Sequence, residues 1–115
     1  MKSAGQIVLF RFPQTNSVPG KLRPALLLGQ LPGPYDDWVI CMISTQLDHY
    51  LKDFDEIIDL NDPDFNRSGL KSASVVRTGR LAVVEGSYLM GAIGEIDPNR
   101  LKRVRTHLAN WLTNL

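Results

Sequence analysis

Outside residues 35–62, this chain up to residue 97 never goes ten residues without a glycine or a proline, and that punctuation constrains its fold more than any other feature. Nine glycines and seven prolines break the 115 residues into short apolar runs. Such runs are too short for buried helices and suit strands, which need only four to eight residues. Strands are expected over residues 6–12, 24–29, 38–45 and 56–60. Further strands are expected over 74–76 and 81–85, around Thr78-Gly79. Residues 89–96 carry Gly91 and Gly94 and read as a tightly bent strand. Residues 13–21 form a polar loop, Pro32-Gly33-Pro34 a turn, and residues 61–64 and 68–69 two more. Many short strands with turn signals argue for a β-barrel or sandwich.

The C-terminus follows a different rule. Asp97-Pro98 offers a capping side chain and then a proline at the first helical position, where its missing N–H costs nothing. Leu101, Val104, Leu108, Trp111 and Leu115 then recur at steps of three and four, one apolar stripe on an amphipathic helix. The stripe is expected to pack on the chain's own sheet, and one domain is expected to span residues 1–115.

Composition narrows the function. The formal net charge is +1, so whole-molecule attraction to polyanions is not expected and any nucleic-acid site must come from local clustering. Charge is unevenly spread. Residues 48–64 hold seven acids against Lys52, whereas residues 67–80 hold Arg67, Lys71, Arg77 and Arg80 and no acid. Arg100, Lys102, Arg103 and Arg105 follow, so one basic and one acidic face are possible. The acidic run fits no ligand loop and is expected to be solvated surface. Cys41, the single cysteine, lies in an apolar run and is expected to fill core space. No leader and no membrane-length apolar segment is visible, so a cytoplasmic location is expected. Glycine-rich phosphate loops, dinucleotide fingerprints and histidine or cysteine pairs at metal spacing are lacking, so no cofactor or metal is expected.

One combination could carry chemistry. Lys21, Arg23 and Pro24 stand at the mouth of the second strand, and Ser44-Thr45 at the end of the third. A residue before proline is held extended, so the Arg23 guanidinium projects from a fixed point. Its planar fork suits a phosphate and the charge that builds during phosphoryl transfer. A hydroxyl beside it can donate to a non-bridging oxygen. An arginine–proline step is also ordinary structure, and the residues alone leave both readings open.

Five segments in order resemble the MazF/PemK/Kid-type toxin family. They are Gly5-Gln6-Ile7-Val8-Leu9 with Phe12-Pro13, Lys21-Leu22-Arg23-Pro24-Ala25-Leu26-Leu27-Leu28, and residues 39–45. Ser68-Gly69-Leu70-Lys71-Ser72-Ala73-Ser74-Val75 and Ile93-Gly94-Glu95-Ile96 complete the set. The resemblance covers about residues 4–112. It implies a mostly-β, SH3-like barrel (MazF/PemK/CcdB-like) with the C-terminal helix, short helices and a homodimer. It also implies a metal-independent endoribonuclease for single-stranded RNA, held inactive by an antitoxin. By position Arg23 would be the catalytic arginine and Ser44 would stand where the family has its catalytic threonine. The family order Thr-Ser appears here as Ser44-Thr45, and the alternative is a weakened module of the same fold that binds RNA or a partner without cutting. Gln14, Asn16, Lys21, Gln46, Lys71, Ser72 and Arg77 are expected to contact the RNA. His49, shortly after the hydroxyl pair, is a candidate general base.

Overall fold

The structure is a computed structural model that describes residues 2–11 and 20–115. Six strands form one antiparallel, strongly curled sheet: β1 (Gln6–Arg11), β2 (Leu22–Gln30), β3 (Asp37–Ser44), β4 (Glu56–Ile58), β5 (Ser74–Glu85) and β6 (Ala92–Glu95). Their order across the sheet is β4-β5-β3-β2-β1-β6. A four-residue helix, α1 (Phe65–Ser68), follows β4, and α2 (Pro98–Thr113) ends the chain.

Both faces of the sheet bury apolar side chains, which is why β2 reads as a continuous rather than an alternating run. On one face Ile7, Leu26, Cys41, Ile43 and Val76 pack with Val104 of α2. Leu101 and Leu108 flank that contact. On the other face Val8, Ala25, Leu27, Trp38 and Ile40 pack with Leu89. Burial pushes the Cys41 thiol far up, as befits core filler. Asp97 caps α2 as expected, its carboxylate accepting from the Asn99 N–H at 2.9 Å.

Three boundaries differ from expectation. Residues 74–85 form one strand, because a bulge at residues 78–80 absorbs the glycine without ending the pairing. Cys41 faces Leu81 and the next residue, Met42, faces Arg77. The fourth strand stops at Ile58, where the Asp62 and Asp59 carboxylates take the N–H groups of Asp59 and Leu60 and turn the chain. The bent strand shrinks to β6, since residues 86–88 form a 3₁₀ turn and Gly91 adopts φ +108°.

Two expectations about charge are corrected. The acidic run is solvated only in part: Asp48, Asp53 and Asp59 are exposed, but Asp55 and Asp64 are buried. Nor do the C-terminal cations form a free basic face, because Arg100 is buried among those acids. Its Nε donates to Asp64 Oδ2 at 2.8 Å, and one terminal nitrogen to Glu56 and the Ile57 carbonyl at 3.1 and 2.7 Å. The other donates to Asp62 and Asp64 at 2.9 and 3.0 Å. All five guanidinium N–H groups are therefore used. Arg103 also donates to Glu56, and Arg105 to the Leu28 carbonyl.

The same cluster closes the gap between the two edge strands. Asp64 accepts the Asp97 N–H at 3.0 Å, which ties the start of α2 to the end of the β4–α1 loop. Beside it, α1 and β6 meet backbone to backbone. A Cβ on Gly94 would strike the Arg67 and Ser68 carbonyls, and one on Gly69 the Ile93 carbonyl. Gly69 also ends α1 in the left-handed conformation, at φ +74°.

Removing Arg100 would leave buried carboxylates unpaired. Arg100→Ala is expected to cost about 3–5 kcal/mol in chemical denaturation, against under 1 kcal/mol for the exposed Lys102→Ala. The Arg100 hydrogen bonds hold the Asp64 carboxyl down from 3.8 to about 2. A depressed carboxyl stabilises the fold above its unfolded pKa and loses that contribution as pH falls through the folded value. Stability is therefore expected to drop between about pH 4 and pH 2, and an Asp64→Asn variant should lose that part of the slope.

Candidate functional site

One end of the sheet gathers the residues with chemical potential. The β2–β3 ladder ends with Ala25 opposite Met42. Two residues beyond each, on the same face by the pleat, stand Arg23 and Ser44. Pro24 has no N–H to continue the ladder and holds Arg23 extended. On the other side Arg23 pairs with Phe10 of β1, and Ser44 pairs with Val75 of β5. Three paired strands thus fix where the arginine and the hydroxyl leave the sheet.

Arg23 is exposed and makes no side-chain hydrogen bond or ion pair with another described residue. Its donors face solvent, where an anionic ligand can take them. Ser44 is half-buried, and its Oγ accepts the Gln46 N–H at 3.0 Å. That bond occupies a lone pair and leaves the hydroxyl hydrogen free to donate outward. Thr45 follows as an exposed residue, so of the pair it is Ser44 that the strand positions. Gln46 contributes its backbone to this turn and exposes its side chain.

The remaining expected residues fall into three groups. Arg77 lies opposite Met42, hence on the same face as Arg23 and Ser44 and one two-residue step along β5 from Val75. Lys21, Lys71 and Ser72 are exposed on the segments leading into β2 and β5 at this end. Gln14 and Asn16 lie outside the described residues. His49 is exposed on the short 3₁₀ turn Leu47–His49, just after the hydroxyl pair.

Sequence reasoning passed over two features near this end. Arg11 stands beside the site in β1 but on the opposite face, where it donates to the Gly20 carbonyl at 2.6 Å. Its one-residue offset from Phe10, the partner of Arg23, is the signal that separates it. Asp55 is buried and accepts the Leu51 and Thr78 N–H groups, each at 3.0 Å. It pins residues 51–55 against the β5 bulge. Among the described residues, no three histidine, cysteine or acidic side chains are arranged to hold a metal ion.

Comparison with known proteins places this geometry. None of the curated protein sequences matches the chain. The solved structure of a MazE–MazF complex from Deinococcus radiodurans superposes with a TM-score of 0.71 at 23% identity, over 97% of this chain and 96% of that one. The Mycobacterium tuberculosis toxin MazF-mt6 gives 0.68 at 17% identity, over 94% and 96%. An endoribonuclease in complex with its cognate antitoxin from a mycobacterial species gives 0.65 at 15% identity, over 98% and 96%. At these identities the likeness establishes the fold, a mostly-β curled sheet with a C-terminal helix. The family itself is shown by a sequence model of the PemK-like, MazF-like toxins, which matches residues 3–112. This chain belongs to that family, the PemK-like, MazF-like toxins of type II toxin–antitoxin systems.

Proposed function

We propose that this chain is an endoribonuclease that cuts single-stranded RNA without a metal, using the substrate's own 2′-hydroxyl as nucleophile. One observation carries the reading. Arg23, free of any described partner, and Ser44, with its hydroxyl hydrogen available, leave neighbouring strands on one face, just beyond the end of their ladder. Membership of a toxin family, and likeness to a structure described as an endoribonuclease, support it.

In this mechanism the 2′-oxygen bonds to the adjacent phosphorus, and the bond from phosphorus to the 5′-oxygen breaks. The products are a cyclic phosphate and a free 5′-hydroxyl. The 2′-hydroxyl gives up one proton and the departing oxygen gains one. Arg23 binds the non-bridging oxygens as charge accumulates, and Ser44 donates to one of them. His49 lies shortly after the hydroxyl pair and is the candidate acceptor of the first proton. DNA lacks the nucleophile and would not be cut. Lys21, Gln46, Lys71, Ser72 and Arg77, with Gln14 and Asn16, would contact the strand. The active form would be a homodimer in the cytoplasm, restrained by an antitoxin. Two of the structural relatives are MazE–MazF complexes, which supports that last partner.

Digestion of single-stranded RNA by the purified protein in EDTA tests the proposal. Arg23→Ala is expected to lower the cleavage rate about 100- to 1000-fold while leaving thermal stability unchanged, as befits an exposed, unpaired side chain. Ser44→Ala should cost more activity than Thr45→Ala. An unaltered rate in Arg23→Ala would reject the assignment. Wild-type protein that shifts RNA mobility without cutting it would favour the binding module.

A further inference from the structure

A second recess lies away from the Arg23–Ser44 face. It is a depression of about 650 Å³ between residues 51–54, the β5 bulge and the last turns of α2. Leu51, Phe54 and Trp111 form its apolar walls, with Asn110 and His107 among them. Trp111 belongs to the apolar stripe of α2, yet it is 48% exposed. Its ring stands 5.8 Å from that of Phe54 at 60°, so the two rings form an open corner rather than a closed stack. His107 donates from Nδ1 to the Phe54 carbonyl at 3.1 Å, which leaves Nε2 as an acceptor in the neutral ring. The Asn110 amide adds both a donor and an acceptor.

The recess continues into a smaller one. Leu51, Phe54 and Gly79 line both, and the second adds Arg77 and Arg80. Neither arginine makes an ion pair with a described residue. Asp55, which lines the same recess, already accepts two backbone N–H groups. Arg77 in turn shares its face with Arg23 and Ser44. A strip of available cations therefore leads from the proposed cleavage point round the sheet edge to an aromatic corner with hydrogen-bonding groups.

We propose that this corner takes one base of the bound RNA strand, away from the cut linkage, with Arg77 and Arg80 holding the phosphates between. The inference rests on the nuclease reading above. A flat apolar slot beside unpaired guanidinium groups matches a nucleotide, whose base stacks on aromatic rings while its phosphate takes the cations. Asp53, exposed at the rim, disfavours a strongly acidic occupant inside the slot and leaves a neutral base acceptable. The site would extend recognition beyond the nucleotides that flank the scissile bond.

Binding of an uncleavable 2′-O-methyl RNA separates this site from catalysis. With a long oligomer, Trp111→Ala and Arg80→Ala are each expected to weaken affinity, Trp111→Ala by about tenfold. With a dinucleotide too short to reach the recess, both variants should match wild type. In ¹⁵N–¹H spectra the Trp111 indole signal should move only with the long oligomer. The Trp38 indole, buried and bonded to Asp36 at 2.8 Å, should stay. Unchanged affinity and an unmoved Trp111 signal, in protein that still cleaves RNA through Arg23, would overturn this inference alone. Wild-type protein that neither binds nor cleaves RNA would remove both proposals. A Trp111 signal that responds to an acidic, leucine-bearing peptide but not to RNA would assign the recess to a protein partner and overturn the inference.

Discussion

The architecture depends on one buried guanidinium. Arg100 enters from the first turn of α2 and meets the acids of the β4–α1 region, with every N–H bonded. Burying a charge is unfavourable unless its partners satisfy it fully, and here they do. The result is directional. Apolar contacts at Val104, Leu101 and Leu108 press α2 onto the sheet, but greasy surfaces tolerate sliding. Five hydrogen bonds with fixed angles set the helix at one rotation and one height.

That fixed helix has consequences at both ends of the sheet. Near its start it holds Asp97 on Asp64 and so keeps α1 against β6. Near its end it carries Trp111 to Phe54. The Arg23–Ser44 face, by contrast, is placed by strand pairing alone, through Phe10, Met42 and Val75. Ladder hydrogen bonds hold such groups rigidly while leaving their outer atoms in solvent, a suitable basis for a site that must receive a long, flexible ligand.

What was legible in the sequence was what acts locally. Strand cores announced themselves as short apolar runs, several of them bounded by glycine or proline, and α2 through its Asp97-Pro98 start and its stripe. The placing of Arg23 and Ser44 on one face at one end of the sheet also followed from local order, because β2 and β3 are consecutive antiparallel strands. Arg100 was illegible for the opposite reason. Its partners lie 36, 38 and 44 residues away, and charged residues beside an apolar stripe read as solvent-facing. The four residues of α1 are too few for a helical period to show. The bulge hid as well, since Thr78-Gly79 reads as a turn until β3 is seen pairing on both sides of it.

The glycine contact between α1 and β6 has a further meaning. β6 is an outermost strand, and an outermost strand with open amides is a template for another chain. Covering it with backbone at van der Waals distance, which only Gly69 and Gly94 permit, withholds that template. Larger residues at either position would pry the cover loose and invite self-assembly into aggregates. The harm would fall on solubility before it reached the Arg23–Ser44 face, so these glycines guard the chain's surface as well as its shape.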